Sequence, residues 1–146
     1  MRIYLDNCCY NRPYDDQAQT KIYIETQAKL DIQNQIRKGQ LDLASSYILE
    51  AENAANPFDR KRKDIQSFLD AYTKIFVSDK QDIAVRKLAT DIMTTGIRLM
   101  DACHIACAII AGCDVFLSTD KRVLKYKSAD IRILNPATFL IEEDAE

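Results

Sequence analysis

The chain reads as a single α/β domain, residues 1–146, with a central, largely parallel, twisted sheet flanked by helices. Three observations predict this. Short runs rich in Ile, Val, Leu and Phe alternate with longer segments of helical period along all 146 residues. The glycines and prolines, three of each, fall at the joints between those segments. The composition, 47% hydrophobic and 29% charged, is that of a globular domain able to bury one core. No repeat, linker or low-complexity stretch interrupts the pattern.

The elements follow in order. Ile3-Tyr4-Leu5 reads as a buried strand ending at Asp6. Residues 8–19 contain Asn11-Arg12-Pro13-Tyr14-Asp15-Asp16 and read as a loop. A helix is expected over Thr20 to Lys38, because Ile24, Ala28, Ile32 and Ile36 form one face and Gly39 supplies a stop. Leu41 to Ala44 is a second strand. Ser46 can cap the next helix, which Asn56-Pro57 breaks. A helix over Phe58 to Tyr72 is expected to place Ile65, Phe68, Leu69 and Tyr72 on its inner side. Lys74 to Val77 is a strand, and Ser78 or Asp79 caps a helix to about Met93. The run from Asp101 to Ala111 is nearly all apolar, so it predicts a central, buried helix closed by Gly112. Val115 to Leu117 is a strand, Asp120 to Lys125 a short helix and Ile131 to Leu134 a last strand. Asn135-Pro136 opens a final helix. The acidic end, Glu142 to Glu146, is expected to fray.

The bulk numbers exclude some classes. A net charge of −2 is low for a dedicated duplex-DNA binder, although local patches leave nucleic acid open as a substrate. The five cysteines, Cys8, Cys9, Cys103, Cys107 and Cys113, are odd in number and lack C-x-x-C spacing, which points to reduced thiols in the cytoplasm and away from a zinc ribbon. The chain opens directly into a strand, without the apolar core of a signal peptide, and no apolar run is long enough for a membrane span. Three glycines and no Walker or G-x-G-x-x-G pattern argue against a nucleotide cradle.

The chemistry-bearing pattern is a set of carboxylates at element ends. Asp6 ends the first strand, Glu52 rides on the helix after Ser46, Asp101 opens the apolar helix, and Asp120 follows the strand Val115-Phe116-Leu117. Ends of this kind meet along one edge of an alternating strand–helix fold. Oxygen donors gathered there suit a hard divalent cation and chemistry on phosphate esters. Glu50 and Glu52 lie about 200° apart around a helix, so only one can face such a site; Glu52 is preferred, with Glu50 the alternative. Arg60-Lys61-Arg62-Lys63 reads as a solvated face. Arg12, Arg98, Lys121 and Arg122 lie nearer the acidic positions and are better phosphate contacts.

Four segments together resemble the PIN-domain family, which includes the VapC-type toxins of bacterial toxin–antitoxin pairs: Tyr4-Leu5-Asp6-Asn7; Ser45-Ser46 through Glu52; Asp101-Ala102-Cys103-His104-Ile105-Ala106; and Phe116-Leu117-Ser118-Thr119-Asp120. The resemblance covers essentially the whole chain. It implies that Asp6, Glu52, Asp101 and Asp120 are an acidic quartet that is catalytic and binds one or two Mg²⁺ or Mn²⁺ ions. The implied activity is hydrolysis of RNA, with Thr119, Arg12 and Arg98 near the substrate. It further implies a homodimer and an antitoxin protein as partner. The chain departs from the family at Asn7-Cys8, where small hydroxyl residues are usual.

A non-catalytic PIN-like module acting through protein contact has no need of four carboxylates on one edge. A haloacid-dehalogenase-type phosphotransferase resembles Asp-x-Asp after the first strand, where this chain has Cys8. A cysteine phosphatase would need a glycine-containing phosphate loop after Cys8-Cys9. His104, Cys103 and Cys107 lie on an all-apolar helix and are read as packing residues.

Overall fold

In the computed structural model, which describes residues 1–145, each short apolar run is a strand: β1 (Arg2–Leu5), β2 (Asp42–Ser46), β3 (Thr73–Val77), β4 (Val115–Leu117) and β5 (Arg132–Leu134). They form one sheet in the order β3-β2-β1-β4-β5, and every pairing is parallel. The chain builds outward from β1 to one side through β2 and β3, then returns to the other side through β4 and β5. The order therefore reverses between β1 and β4. In open parallel sheets, ligands bind in the crevice beyond the strand ends at such a reversal.

The helices are α1 (Asn7–Asn11), α2 (Thr20–Arg37), α3 (Tyr47–Ala54), α4 (Asp59–Tyr72), α5 (Asp82–Met93), α6 (Leu99–Ile110), α7 (Lys121–Leu124) and α8 (Pro136–Ala145). Strand side chains alternate between the two faces of the sheet. Ile3, Leu5, Leu43, Val115 and Leu117 point to one face, where Tyr10 of α1, Ile32 and Ile36 of α2, Phe68 and Leu69 of α4 and Phe139 of α8 cover them. Tyr4, Ala44 and Phe116 point to the other, against Val85 and Ala89 of α5 and the run Ala102 to Ala108 of α6. Tyr4 and Phe116 are register partners, and their rings stack with centroids 5.5 Å apart. The small side chains of α6 (Ala102, Cys103, Ala106, Cys107) keep this helix close to the sheet; residues 102–108 are all buried, as the apolar run predicted.

Several boundaries differ from the sequence reading, most by a residue or two, and three bear on the site or the end of the chain. The expected loop after Asp6 contains α1 and a 3-10 turn at Arg12–Tyr14, because the Asp6 carboxylate accepts the Asn7 amide and caps α1. Helix α6 starts at Leu99 rather than Asp101: the Ala102 amide already donates to the Arg98 carbonyl at 2.8 Å, which puts Asp101 in the first turn. The acidic end expected to fray is helical as far as Ala145; Glu146 lies outside the described residues. No helix among the described residues is long and apolar enough to cross a membrane.

Gly112 turns the chain from α6 into β4 with φ +73°, a left-handed conformation that costs any residue with a Cβ. A Cβ there would also lie 3.3 Å from Nη1 of Arg2, which donates to the Ala111 carbonyl. Gly112→Ala is expected to cost about 1–2 kcal/mol. Urea denaturation should show a lower midpoint with an unchanged slope.

Candidate functional site

The carboxyl ends of β1 and β4 lie side by side, and the Asp6 amide donates to the Leu117 carbonyl at 2.9 Å. This contact places Asp6 next to the Ser118-Thr119-Asp120 turn. Asp6 is 5% exposed, so its carboxylate needs donors. It receives the Asn7 amide at 2.8 Å on one oxygen and the Ser118 hydroxyl at 2.9 Å on the other. The Cys8 thiol lies 3.5 Å from that second oxygen. The Ser118 oxygen in turn accepts the Asp120 amide at 3.1 Å, so one buried hydroxyl ties the first aspartate to the last. The Asp120 carboxylate caps α7 by accepting the Arg122 amide at 2.8 Å.

Glu52 enters from α3. Ser46 caps that helix as the sequence predicts, accepting the Leu49 amide at 3.1 Å. Glu52 is half-buried and meets His104 Nε2 at 2.9 Å, whereas Glu50 is exposed beside Asp70 and Phe76. Of the two glutamates it is therefore Glu52 that the fold brings to the aspartates. His104 is 1% exposed, and its Nδ1 lies 2.7 Å from the Tyr4 hydroxyl, which lies 2.6 Å from the Ser46 hydroxyl. A continuous polar chain thus runs from the α3 cap through the sheet to Glu52. The two hydroxyls can each donate or accept, so the chain serves either protonation state of the imidazole. Burial alone would push His104 down, but the bond to Glu52 and the charges of Asp6 and Asp101 outweigh it and hold its pKa above the ordinary value. Burial likewise opposes ionisation of Glu52, and the His104 contact outweighs it, leaving the carboxyl below its usual range.

Asp101 differs from the other three. Its side chain has no hydrogen-bond partner among the described residues. Burial first, then the negative charges of Asp6 and Asp120, push its pKa up to about 6; His104 opposes this and Glu52 adds to it. Asp101 therefore senses the other three carboxylates. The donor chemistry of all four suits a hard divalent cation. They do not close on one in this arrangement: no three His, Cys, Asp or Glu side chains among the described residues converge to hold an ion.

Asp101 also lines a cleft of about 660 Å³ together with Arg98, Arg122, Lys125, Tyr126 and Lys127. None of these four cations pairs with a carboxylate among the described residues. Arg98 thus lies beside the acidic set, and Lys125, Lys127 and Tyr126 are further lining residues that sequence reasoning missed. Arg12 is committed elsewhere, to Glu25 at 3.0 Å and Asp15 at 2.8 Å. Thr119 is 3% exposed, and its amide faces the Cys8 sulfur at 3.3 Å. Neither side chain is free to meet a substrate here. His104, read from the sequence as packing, is buried but also holds Glu52. Its spacing of three from Asp101 on a helix was the available signal.

No protein-family model matches the chain, and no curated protein sequence matches it. Solved structures do. FitAcB from Neisseria gonorrhoeae is similar at 19% identity with a TM-score of 0.56, over 92% of this chain and 97% of that one. FitAB bound to an IR36 DNA fragment is similar at 21% identity with a TM-score of 0.55, over 92% of this chain and 95% of that one. At these identities the likeness is one of fold. It agrees with the PIN-like α/β domain expected from the sequence.

Two outcomes follow from this geometry. Tyr4→Phe keeps the ring in the core but leaves His104 Nδ1 and the Ser46 hydroxyl without their shared partner. It should cost about 1–3 kcal/mol in denaturant melts. Asp101→Asn should stabilise the metal-free protein at pH 7 by about 1 kcal/mol, once solvent screening at this half-buried site is counted. Because the folded state holds the Asp101 proton up to about pH 6 and the unfolded state releases it near the ordinary value, wild-type stability recovers as pH falls through that window. The two proteins should therefore converge below about pH 4, which thermal melts across pH would reveal.

Proposed function

We propose that this protein is a metal-dependent ribonuclease that hydrolyses phosphodiester bonds of single-stranded or looped RNA. The observation that carries the reading is the juxtaposition of Asp101, which feels the charges of Asp6, Asp120 and Glu52, with a cleft of unpaired cations. An acidic set alone would repel a polyanion. Arg98, Arg122, Lys125 and Lys127 beside Asp101 offer the phosphate contacts that offset this, and Tyr126 offers a ring on which a base can stack.

Asp6, Glu52, Asp101 and Asp120 would hold Mg²⁺ or Mn²⁺, the oxygen chemistry of the set fitting such ions. When bound, the cation supplies an activated water and neutralises charge on the phosphate. The chain's own groups do the positioning. Ser118 fixes the Asp6 carboxylate, the helix-capping bond fixes Asp120, and His104 fixes one oxygen of Glu52. Asp101, held by no such bond, is the ligand most free to turn toward an ion. A role as the toxin of a toxin–antitoxin pair, with an antitoxin protein as partner and a homodimer as the working unit, rests on the family resemblance. FitAB, itself solved with a DNA fragment, shares the fold, and the reading as a nuclease rests on this chain's own residues.

The test is cleavage of a mixed RNA panel with Mn²⁺, Mg²⁺ or EDTA. Wild type should cut with either metal and not in EDTA, and Asp101→Asn should lose at least ~10²-fold in rate. Arg122→Ala should raise KM several-fold and flatten the salt dependence while sparing kcat. Glu50→Gln should cut like wild type. A folded wild type that cuts no RNA under any metal, and whose melting point Mn²⁺ leaves unmoved, would sink the reading in favour of a protein-binding module.

A further inference from the structure

A second cleft, of about 210 Å³, opens between α1, α2 and α4, on the face of the sheet away from α6. Its lining includes Tyr10, Lys29, Gln33, Arg37, Asp64 and Phe68. Lys29 is only 5% exposed, yet no carboxylate lies within 4 Å of its ammonium among the described residues, and it makes no hydrogen bond there. Its one favourable neighbour is the Tyr10 ring, whose centroid lies 5.6 Å away. A ring face attracts a cation but leaves its three N–H donors unsatisfied. The Tyr10 hydroxyl is also buried, with no hydrogen-bond partner.

Arg37 adds a second cation. Its guanidinium lies over Phe68 and Tyr72, 5.4 and 5.9 Å from the ring centroids, and donates one bond to Asn34. Asp64 is the single carboxylate of the lining, and it accepts the Tyr14 hydroxyl at 3.4 Å. The cleft therefore holds an excess of donors and positive charge. Burial pushes the Lys29 pKa down to about 8, so the ammonium still carries its proton at neutral pH. The ammonium has only a ring face beside it in the cleft, and leaving the Tyr10 hydroxyl buried and unpaired is costly; natural interiors rarely do so without a ligand, ion or water to complete them.

We propose that this cleft is an oxyanion-binding site, in which Lys29, Arg37 and the Tyr10 hydroxyl receive the carboxylate or phosphate group of a small-molecule ligand. An oxyanion supplies acceptors only, and neither Asp64 nor any other carboxylate lies within 4 Å of the Lys29 ammonium among the described residues to fill that role. The site lies on a different face from the acidic set, and its existence does not depend on the nuclease reading.

Melting of the full chain against inorganic phosphate and, separately, succinate, at ionic strength held constant with sodium chloride, tests this. Wild type should gain about 3–5 °C at ten times the dissociation constant of whichever anion fits. A response to one anion alone identifies the ligand group. Lys29→Met should abolish the rise, and Tyr10→Phe, a milder change, should weaken the apparent affinity several-fold. Arg122→Ala should keep the rise, which separates this cleft from the basic one beside Asp101. The proposal is overturned if wild type shows no rise with either anion. It is also overturned if the rise survives unchanged in whichever of Lys29→Met and Tyr10→Phe folds, or is lost in Arg122→Ala instead.

Discussion

A carboxylate at the end of a fully buried central strand is the constraint around which the rest is arranged. β1 is flanked on both sides, so Asp6 emerges where water hardly reaches. Its charge must be met by donors that the fold itself supplies. Two elements answer. α1 starts immediately and offers its first amide, and β4 ends alongside and offers Ser118. That second contact is possible only because β1 and β4 are register partners, Leu5 against Leu117. The sheet order thus decides which turn delivers the last aspartate to the first.

Against that anchored group, the other carboxylates differ in how they are restrained. Glu52 is held at the end of a buried polar chain whose members, Tyr4, Ser46 and His104, belong to a strand, a helix cap and the central helix. Asp120 is held by its own helix. Asp101 has no such bond among the described residues, and burial first, then the neighbouring negative charges, hold its pKa up. Three of the carboxylates are thus restrained by hydrogen bonds, and Asp101 alone is not.

Much of this was legible in the sequence, for identifiable reasons. The strands were visible as short apolar runs, unbroken over Ile3 to Leu5 of β1 and in β4, which are covered on both faces, and carrying Asp42, Lys74 or Arg132 in the other three. Helix α6 was visible because nothing on it except Asp101 and His104 is polar. Ser46 was visible as a cap by its position. The first turns after Asp6 were not, because Asn-Cys-Cys-Tyr-Asn carries no helical period; the short α1 owes its existence to the cap and to burial of Cys9 and Tyr10. Tyr4 could be read as core but not as a hydrogen-bonding residue, since alternation reports which face a side chain takes and not what its hydroxyl meets. The fates of Arg12 and Arg98 were likewise invisible: both are arginines near an acidic position in sequence, and only the fold shows one spent on Glu25 and the other beside the cleft.

The outer strands of the sheet bear on how copies of the chain can meet. β5 has only three residues, and β3 carries Lys74, tethered to Asp42 at 3.2 Å, on its flank. Short borders and border lysines make poor templates for another strand. Lengthening the sheet across a molecular boundary is therefore disfavoured at both borders.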